Sequence, residues 1–287
     1  MIAARRSFLL GAGALGLAGP AWSSDGLALN GRFVQGGFAM GRTWPRAIVF
    51  VDGEALTTAS AAGLFIVGFD RDAPATARIE VLSGTRRLRR DLTNAPGEFD
   101  ITRIDGLPQQ TVTPTAPEVL ARIRREAALK TEGFASRADA DHFNGGFIWP
   151  LETYRISSRW GAQRVLNGTP ARPHYGVDMA APTGTVIRAP ADGLVTLAEP
   201  DLHFEGGLTL IDHGQGLISA YLHQSRLDVQ PGDRVVQGQA IGRVGSSGRA
   251  TGPHLCWRLK WRDRNLDPSH LVGAEAPPMA CSAPNPP

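Results

Sequence analysis

The sequence predicts a mainly β protein: a small Ig-like β-sandwich over residues 24–108, a linker and one helix over 109–146, and an antiparallel, barrel-like β domain over 147–273. Three observations lead there. A chain of 287 residues fits two ordinary domains. An apolar share of 42% is enough for packed cores. Gly and Pro, at 34 and 21, are spread along the chain and favour many short strands and turns over long helices.

Residues 1–23 stand apart from this pattern. Arg5 and Arg6 precede Ser7-Phe8-Leu9-Leu10 and an apolar run to Leu17, and Ala21-Trp22-Ser23 is a small-x-small cleavage site. This is the layout of a secretory signal, and the run is too short for a permanent membrane span. The Arg-Arg-x-Phe-Leu pattern resembles a twin-arginine signal, which exports folded proteins. The expectation is an exported protein of the periplasm or cell envelope, with no transmembrane anchor once mature. Loss of residues 1–23 removes two arginines and no acids, so the formal charge falls from +3 to +1. So balanced a chain points away from a nucleic-acid partner.

In the first domain, Ala47-Ile48-Val49-Phe50-Val51 closes on Asp52-Gly53, a strong hairpin signal. Leu64 to Phe69 follows as a buried strand, and Arg78-Ile79-Glu80-Val81 alternates as a half-buried one. Leu82-Ser83-Gly84-Thr85 turns into a basic strand, and Glu98-Phe99-Asp100-Ile101 alternates again. No chemical constellation sits in this domain, so it reads as a spacer or as a docking module for a partner of unspecified kind. Leu107 to Pro117 is rich in Pro, Gln and Thr and reads as a linker. A helix then starts at a capping box of Thr115 and Glu118. Its apolar stripe is Val119, Leu120, Ile123 and Ala127, and Gly133 ends it.

The second domain is predicted from strands at Val186-Ile187, Gly193–Leu197, Gly207–Ile211, Leu217–Leu222, Ala240–Val244 and His254–Leu259, separated by glycines. A Pro-rich tail covers 274–287.

The chemistry lies in the second domain. His174 and Asp178 are four residues apart, roughly 13 Å on a straight strand and too far for one ion. Pro173 and Gly176 oppose a helix, which leaves a bend at Tyr175-Gly176 that brings both side chains together. Imidazole and carboxylate form a normal zinc pair, though such a spacing alone equally describes a surface ion pair. His254 and Cys256 are two apart on a predicted strand, so they share a face about 7 Å apart. One can ligate a metal while the other reaches a reacting water; a structural Cys beside a hydrogen-bonded His is the competing reading. His223 ends the apolar strand that contains Tyr221 and Leu222. His142, His203, His213 and His270 fall at turns, loops and domain ends and carry no assigned chemistry.

Taken in order, these blocks resemble a known family. They are Ile156-Ser157-Ser158-Arg159-Trp160-Gly161, His174-Tyr175-Gly176-Val177-Asp178 with its continuation to Val186, Ala189–Val195, Ile211-Asp212-His213-Gly214, Tyr221-Leu222-His223, Val229–Val235, Gly238–Gly242, Gly252-Pro253-His254-Leu255 and Leu266-Asp267-Pro268. The run resembles the lysostaphin and LytM type of peptidoglycan endopeptidase. The resemblance implies a zinc metalloendopeptidase that uses a zinc-activated water to hydrolyse peptide bonds in peptidoglycan stem peptides or cross-links. It implies metal ligands at His174, Asp178 and position 256, and catalytic histidines at His223 and His254. The alternative it leaves is a non-catalytic relative that binds and regulates a cell-wall hydrolase.

Position 256 departs from the family pattern, which has His where this chain has Cys256. Three readings are open: a thiolate ligand to zinc, an inert residue in a non-catalytic relative, or a disulfide with Cys281. The first is favoured because the other four positions are intact. A thiolate beside Asp178 would neutralise the zinc dication, whereas a His, Asp, His set leaves it positive. The expectation is a weaker Lewis acid and a slower or alkaline-shifted enzyme.

Overall fold

Strand periodicity dominates the structure, a computed structural model that describes residues 26–104, 116–166 and 168–277. The signal segment, most of the linker, Thr115 and Cys281 lie outside the described residues. In the first part, β1 (Ala28–Arg32), β2 (Phe38–Arg42), β3 (Ile48–Val51), β4 (Glu54–Thr58), β5 (Leu64–Gly68), β6 (Thr76–Ser83) and β7 (Arg86–Thr93) form two antiparallel sheets, ordered β1-β2-β5 and β4-β3-β6-β7. Ala77, Ile79 and Val81 of β6 point inward while Thr76 and Arg78 are exposed, the alternation read from the sequence. The β3–β4 turn is the expected one: Asp52 and Gly53 both have positive φ, at 52° and 89°, as a two-residue hairpin needs.

Two expectations change. The strand placed at Glu98–Ile101 begins only at Ile101. As β8 (Ile101–Ile104) it pairs in parallel with β10 (Gln163–Leu166) of the second part, not with its own sandwich. The helix α1 (Pro117–Phe134) has Ala116 at its N-cap with no side-chain cap bond, so the proline in its first turn marks its start. Gly133 lies inside α1, where a Cβ would meet Leu210 Cδ1 at 2.9 Å, so it permits close packing on the sheet and does not end the helix. Ala127 is exposed; the inward face runs instead through Glu126, Lys130 and Gly133.

The second part contributes β9 (Arg155–Ser158), β10, β11 (Thr169–Pro170), β12 (Val177–Ala180), β13 (Val186–Arg188), β14 (Gly193–Leu202), β15 (Gly206–Asp212), β16 (Leu217–Leu227), β17 (Arg234–Val235), β18 (Ala240–Val244), β19 (His254–Trp261) and β20 (Arg264–Leu266). Most join one sheet in the order β17-β14-β15-β16-β19-β12-β9, with β18 linking β16 to β13 and β20 on β19. One apolar cluster runs through both parts of the chain. Gly68 of β5 leaves room for Leu266 and Trp261, and Arg264 Nη1 donates to the Gly68 carbonyl at 3.0 Å.

His213, expected at a turn, is fully buried. Its Nδ1–H donates to the Asp192 carbonyl at 2.6 Å, so Nε2 is the acceptor for the Ser219 hydroxyl at 2.7 Å. Tyr221 completes the chain, its hydroxyl 2.7 Å from Ser219 Oγ. Burial holds the imidazole neutral and pushes its pKa down to about 4. The unfolded chain takes up that proton near pH 6.5, so this contribution to stability is present above pH 6.5 and is lost as pH falls toward 4. A shift of this size corresponds to roughly 3 kcal/mol. Denaturation midpoints between pH 6.5 and 4 should fall more steeply for the wild type than for His213→Asn, whose starting stability is lower.

Candidate metal centre

The site is built on the antiparallel register of β12 and β19, which sets Asp178 directly opposite Cys256 and Ala180 opposite His254. Along β19, His254 and Cys256 face the site while Leu255 and Trp257 are buried on the other side, as their spacing predicts. His174 precedes β12 and reaches the same point because the chain bends at Gly176. Its Nε2 lies 3.2 Å from Asp178 Oδ1 and 3.4 Å from Cys256 Sγ. Nothing larger than glycine fits at 176: a Cβ there would stand 2.7 Å from Cys256 Sγ.

These three donor atoms all lie within 4.8 Å of one another. Two observations show that the donor set fits a cation. Asp178 Oδ1 is buried and makes no hydrogen bond. At His174, burial opposes the charged imidazole, yet the Asp178 carboxylate and the Cys256 sulfur push its pKa up to about 10. The cluster thus gathers a positive charge between an oxygen and a sulfur. One imidazole, one carboxylate and one thiolate are an ordinary zinc donor set. Ser158 at the end of β9 completes the arrangement, its Oγ 3.2 Å from His174 Nδ1. A proton on Nδ1 directed at Ser158 leaves the Nε2 lone pair facing the cluster, the usual way a ligand imidazole is oriented.

His254 and His223 stand beside the cluster, with ring centroids 4.7 Å apart. His254 Nε2 is 3.7 Å from Asp178 Oδ1, and its Nδ1 is 2.8 Å from the Gly252 carbonyl. His223 Nδ1 is 2.9 Å from the Ser247 carbonyl. A carbonyl can only accept, so Nδ1 of each neutral ring carries the proton and Nε2 is left as a proton acceptor. Burial lowers the pKa of His223, the carbonyl of Ser247 opposing it, so the ring is neutral near pH 7.

His223 does not end its strand, as the sequence suggested. β16 continues to Leu227 through an irregularity opposite Gly207 and Thr209, and His223 takes φ 66°. Such a bulge re-aims a side chain without breaking the sheet. Its amide donates to the Glu205 carbonyl at 2.8 Å. The tip that carries Glu205 is in turn held by α1: Glu126 accepts from the His203 amide at 2.9 Å, and Lys130 pairs with Glu205. Ser158 and Gly252 lie in the blocks that carry the resemblance but had no role assigned, and Ser247 and Glu205 carried no signal, since all four roles follow from pairing across strands and loops.

Residues 172–268 match peptidase family M23. A solved structure described as a peptidase M23 from Pseudomonas aeruginosa matches with a TM-score of 0.64 and 29% identity, over 84% of this chain and 95% of that one. The likeness to peptidase family M23 covers about a third of the chain. The chain is 37% identical over 138 residues to the peptidoglycan DD-endopeptidase ShyA of Vibrio cholerae, 47% of this chain and 31% of that protein. It is 39% identical over 125 residues to the DD-carboxypeptidase/endopeptidase Mpg of Neisseria meningitidis, 43% of this chain and 29% of that protein. The chain thus spans about a third of the length of these relatives.

Because residue 176 lies against the sulfur, Gly176→Ala should displace Cys256 from its partners. Zinc affinity measured by chelator competition is expected to fall at least about tenfold, the low end for disturbing a ligand's support.

Proposed function

We propose that this protein is a zinc metalloendopeptidase that hydrolyses peptide bonds in peptidoglycan stem peptides or cross-links, in the periplasm or cell envelope. The observation that carries this reading is the convergence of His174, Asp178 and Cys256 on one point, with the Nε2 atoms of His223 and His254 alongside. The name of the ShyA relative, a peptidoglycan DD-endopeptidase, supports the substrate class. Among the described residues no helix is long and apolar enough to cross a membrane.

His174, Asp178 and Cys256 would hold the zinc. When bound there, zinc supplies Lewis acidity, polarising a peptide carbonyl and easing deprotonation of water. The remaining work falls to the two histidines. His223, kept neutral by burial, accepts the proton of the attacking water at Nε2. Its Nδ1–H stays on the Ser247 carbonyl, so the ring does not turn as it gains charge. The resulting imidazolium can return the proton to the departing amide nitrogen. His254, fixed by Gly252 and nearest the ligands, stands beside His223, so the two rings meet the same face of the reacting group; when it carries a proton from solvent on Nε2 it steadies charge on the carbonyl oxygen.

Two measurements on the same samples test this reading: zinc stoichiometry and digestion of purified peptidoglycan. Wild type should bind one zinc and release peptides, and Cys256→Ala should lose both. His254→Ala should keep its zinc and lose activity by roughly 10²–10⁴-fold, the range of a proton-transfer or charge-stabilising group. A wild type free of zinc and without digestion would replace this reading with that of a regulator of another hydrolase. The acidic limb of the kcat/KM profile is expected below pH 6.5, because the proton acceptor His223 titrates below the ordinary histidine value.

A further inference from the structure

The stripe of β19 that carries His254 and Cys256 continues two residues on to Arg258. Arg258 Nε donates to Cys256 Sγ at 3.4 Å. Its stem lies against the same bend as the sulfur: a Cβ on Gly176 would come within 2.9 Å of Arg258 Cγ. Among the described residues the guanidinium forms no ion pair with a carboxylate; Glu205 and Asp178 act on it only through space. A partly buried arginine normally meets a carboxylate or phosphate. Here its hydrogen-bond partner is the sulfur of the candidate metal cluster.

The charges explain the pairing. A neutral His174, an ionised Asp178 and a Cys256 thiolate sum to two negative charges and cancel a zinc dication. A His, Asp, His set leaves one positive charge. A guanidinium is always charged, so Arg258 restores that charge. We propose that Arg258 is a positioning residue of the metal centre: its Nε–H aims Cys256 Sγ at His174 and Asp178, and its charge offsets that of the thiolate. This rests on the zinc reading above. It also alters the expectation drawn from the thiolate alone, since a donor to a ligand sulfur and a nearby cation both limit the electron density passed to the metal. Cys256 and Arg258 then work as a pair that stands in for one neutral imidazole.

Cobalt(II) is the probe, loaded into the purified full chain. The wild type should show a sulfur-to-cobalt charge-transfer band in the near ultraviolet. Arg258→Met should move that band to longer wavelength, because the sulfur lone pairs rise in energy without the donor and the cation. Arg258→Lys keeps the charge and should move it less. A second measurement is a double-mutant cycle of zinc affinity. In a Cys256→His background, where the ligand is neutral and the cation is surplus, Arg258→Met should raise zinc affinity by roughly tenfold. In the wild-type background it should bring no gain. An unmoved band in both Arg258 variants, or equal effects on affinity in both backgrounds, overturns the proposal. Cobalt bound without the sulfur band overturns it while leaving metal binding intact. A wild type that takes up no cobalt overturns the zinc reading itself and the proposal with it.

Discussion

Asp178 and Cys256 face each other across two antiparallel strands, and the rest of the site follows from that pairing. Residues directly opposite in a ladder sit within about 5.5 Å at Cα, so two donor atoms can meet with no long loop to order. The third, His174, needs the chain to double back within four residues, which the bend at Gly176 allows. A one-residue slip of β12 against β19 would turn Asp178 and Cys256 to opposite faces, since side chains alternate with a period of two. The core opposes such a slip. Trp257 and Leu255 on the reverse face of β19, with Val177 and Met179 of β12, are buried and would have to move into the site.

The histidines beside the cluster depend on a second set of constraints, carried by backbone atoms. His223 and His254 each give their Nδ1 proton to a carbonyl, those of Ser247 and Gly252. A carbonyl only accepts, so each ring, while neutral, is held in one tautomer. His223 is further tied to the 203–206 tip, and that tip to α1 through Glu126 and Lys130. The helix before the M23 region thus braces one wall of the site from outside the sheet.

Much of this was legible in the chain alone. Alternation in Arg78–Val81 and the Asp52-Gly53 turn are short-range signals, and they held. The bend between His174 and Asp178 followed from Pro173 and Gly176, because neither a straight strand nor a helix could bring the pair together. The errors lay where distant contacts override local preference. Residues 98–101 alternate as a strand should, yet β8 forms only where β10 is there to pair with it. His213 does sit in the β15–β16 turn beside Gly214, but its burial was missed, since it depends on Asp192 and Ser219, 21 and 6 residues away.

The residue types and spacings thus determined by themselves that this is a mainly β chain, and the order of its motifs gave the resemblance that marks His174, Asp178, His223, His254 and Cys256 as the residues to watch. Periodicity and short motifs reach only a few residues, and these features are written at that range. Only the tertiary structure decided which atoms meet: that Ser158 orients His174, that β16 bulges to aim His223, and that Arg258 turns its Nε–H on the Cys256 sulfur. Those contacts join strands and loops 16 to 24 residues apart, or lie on the face of one strand whose orientation the packed core selects.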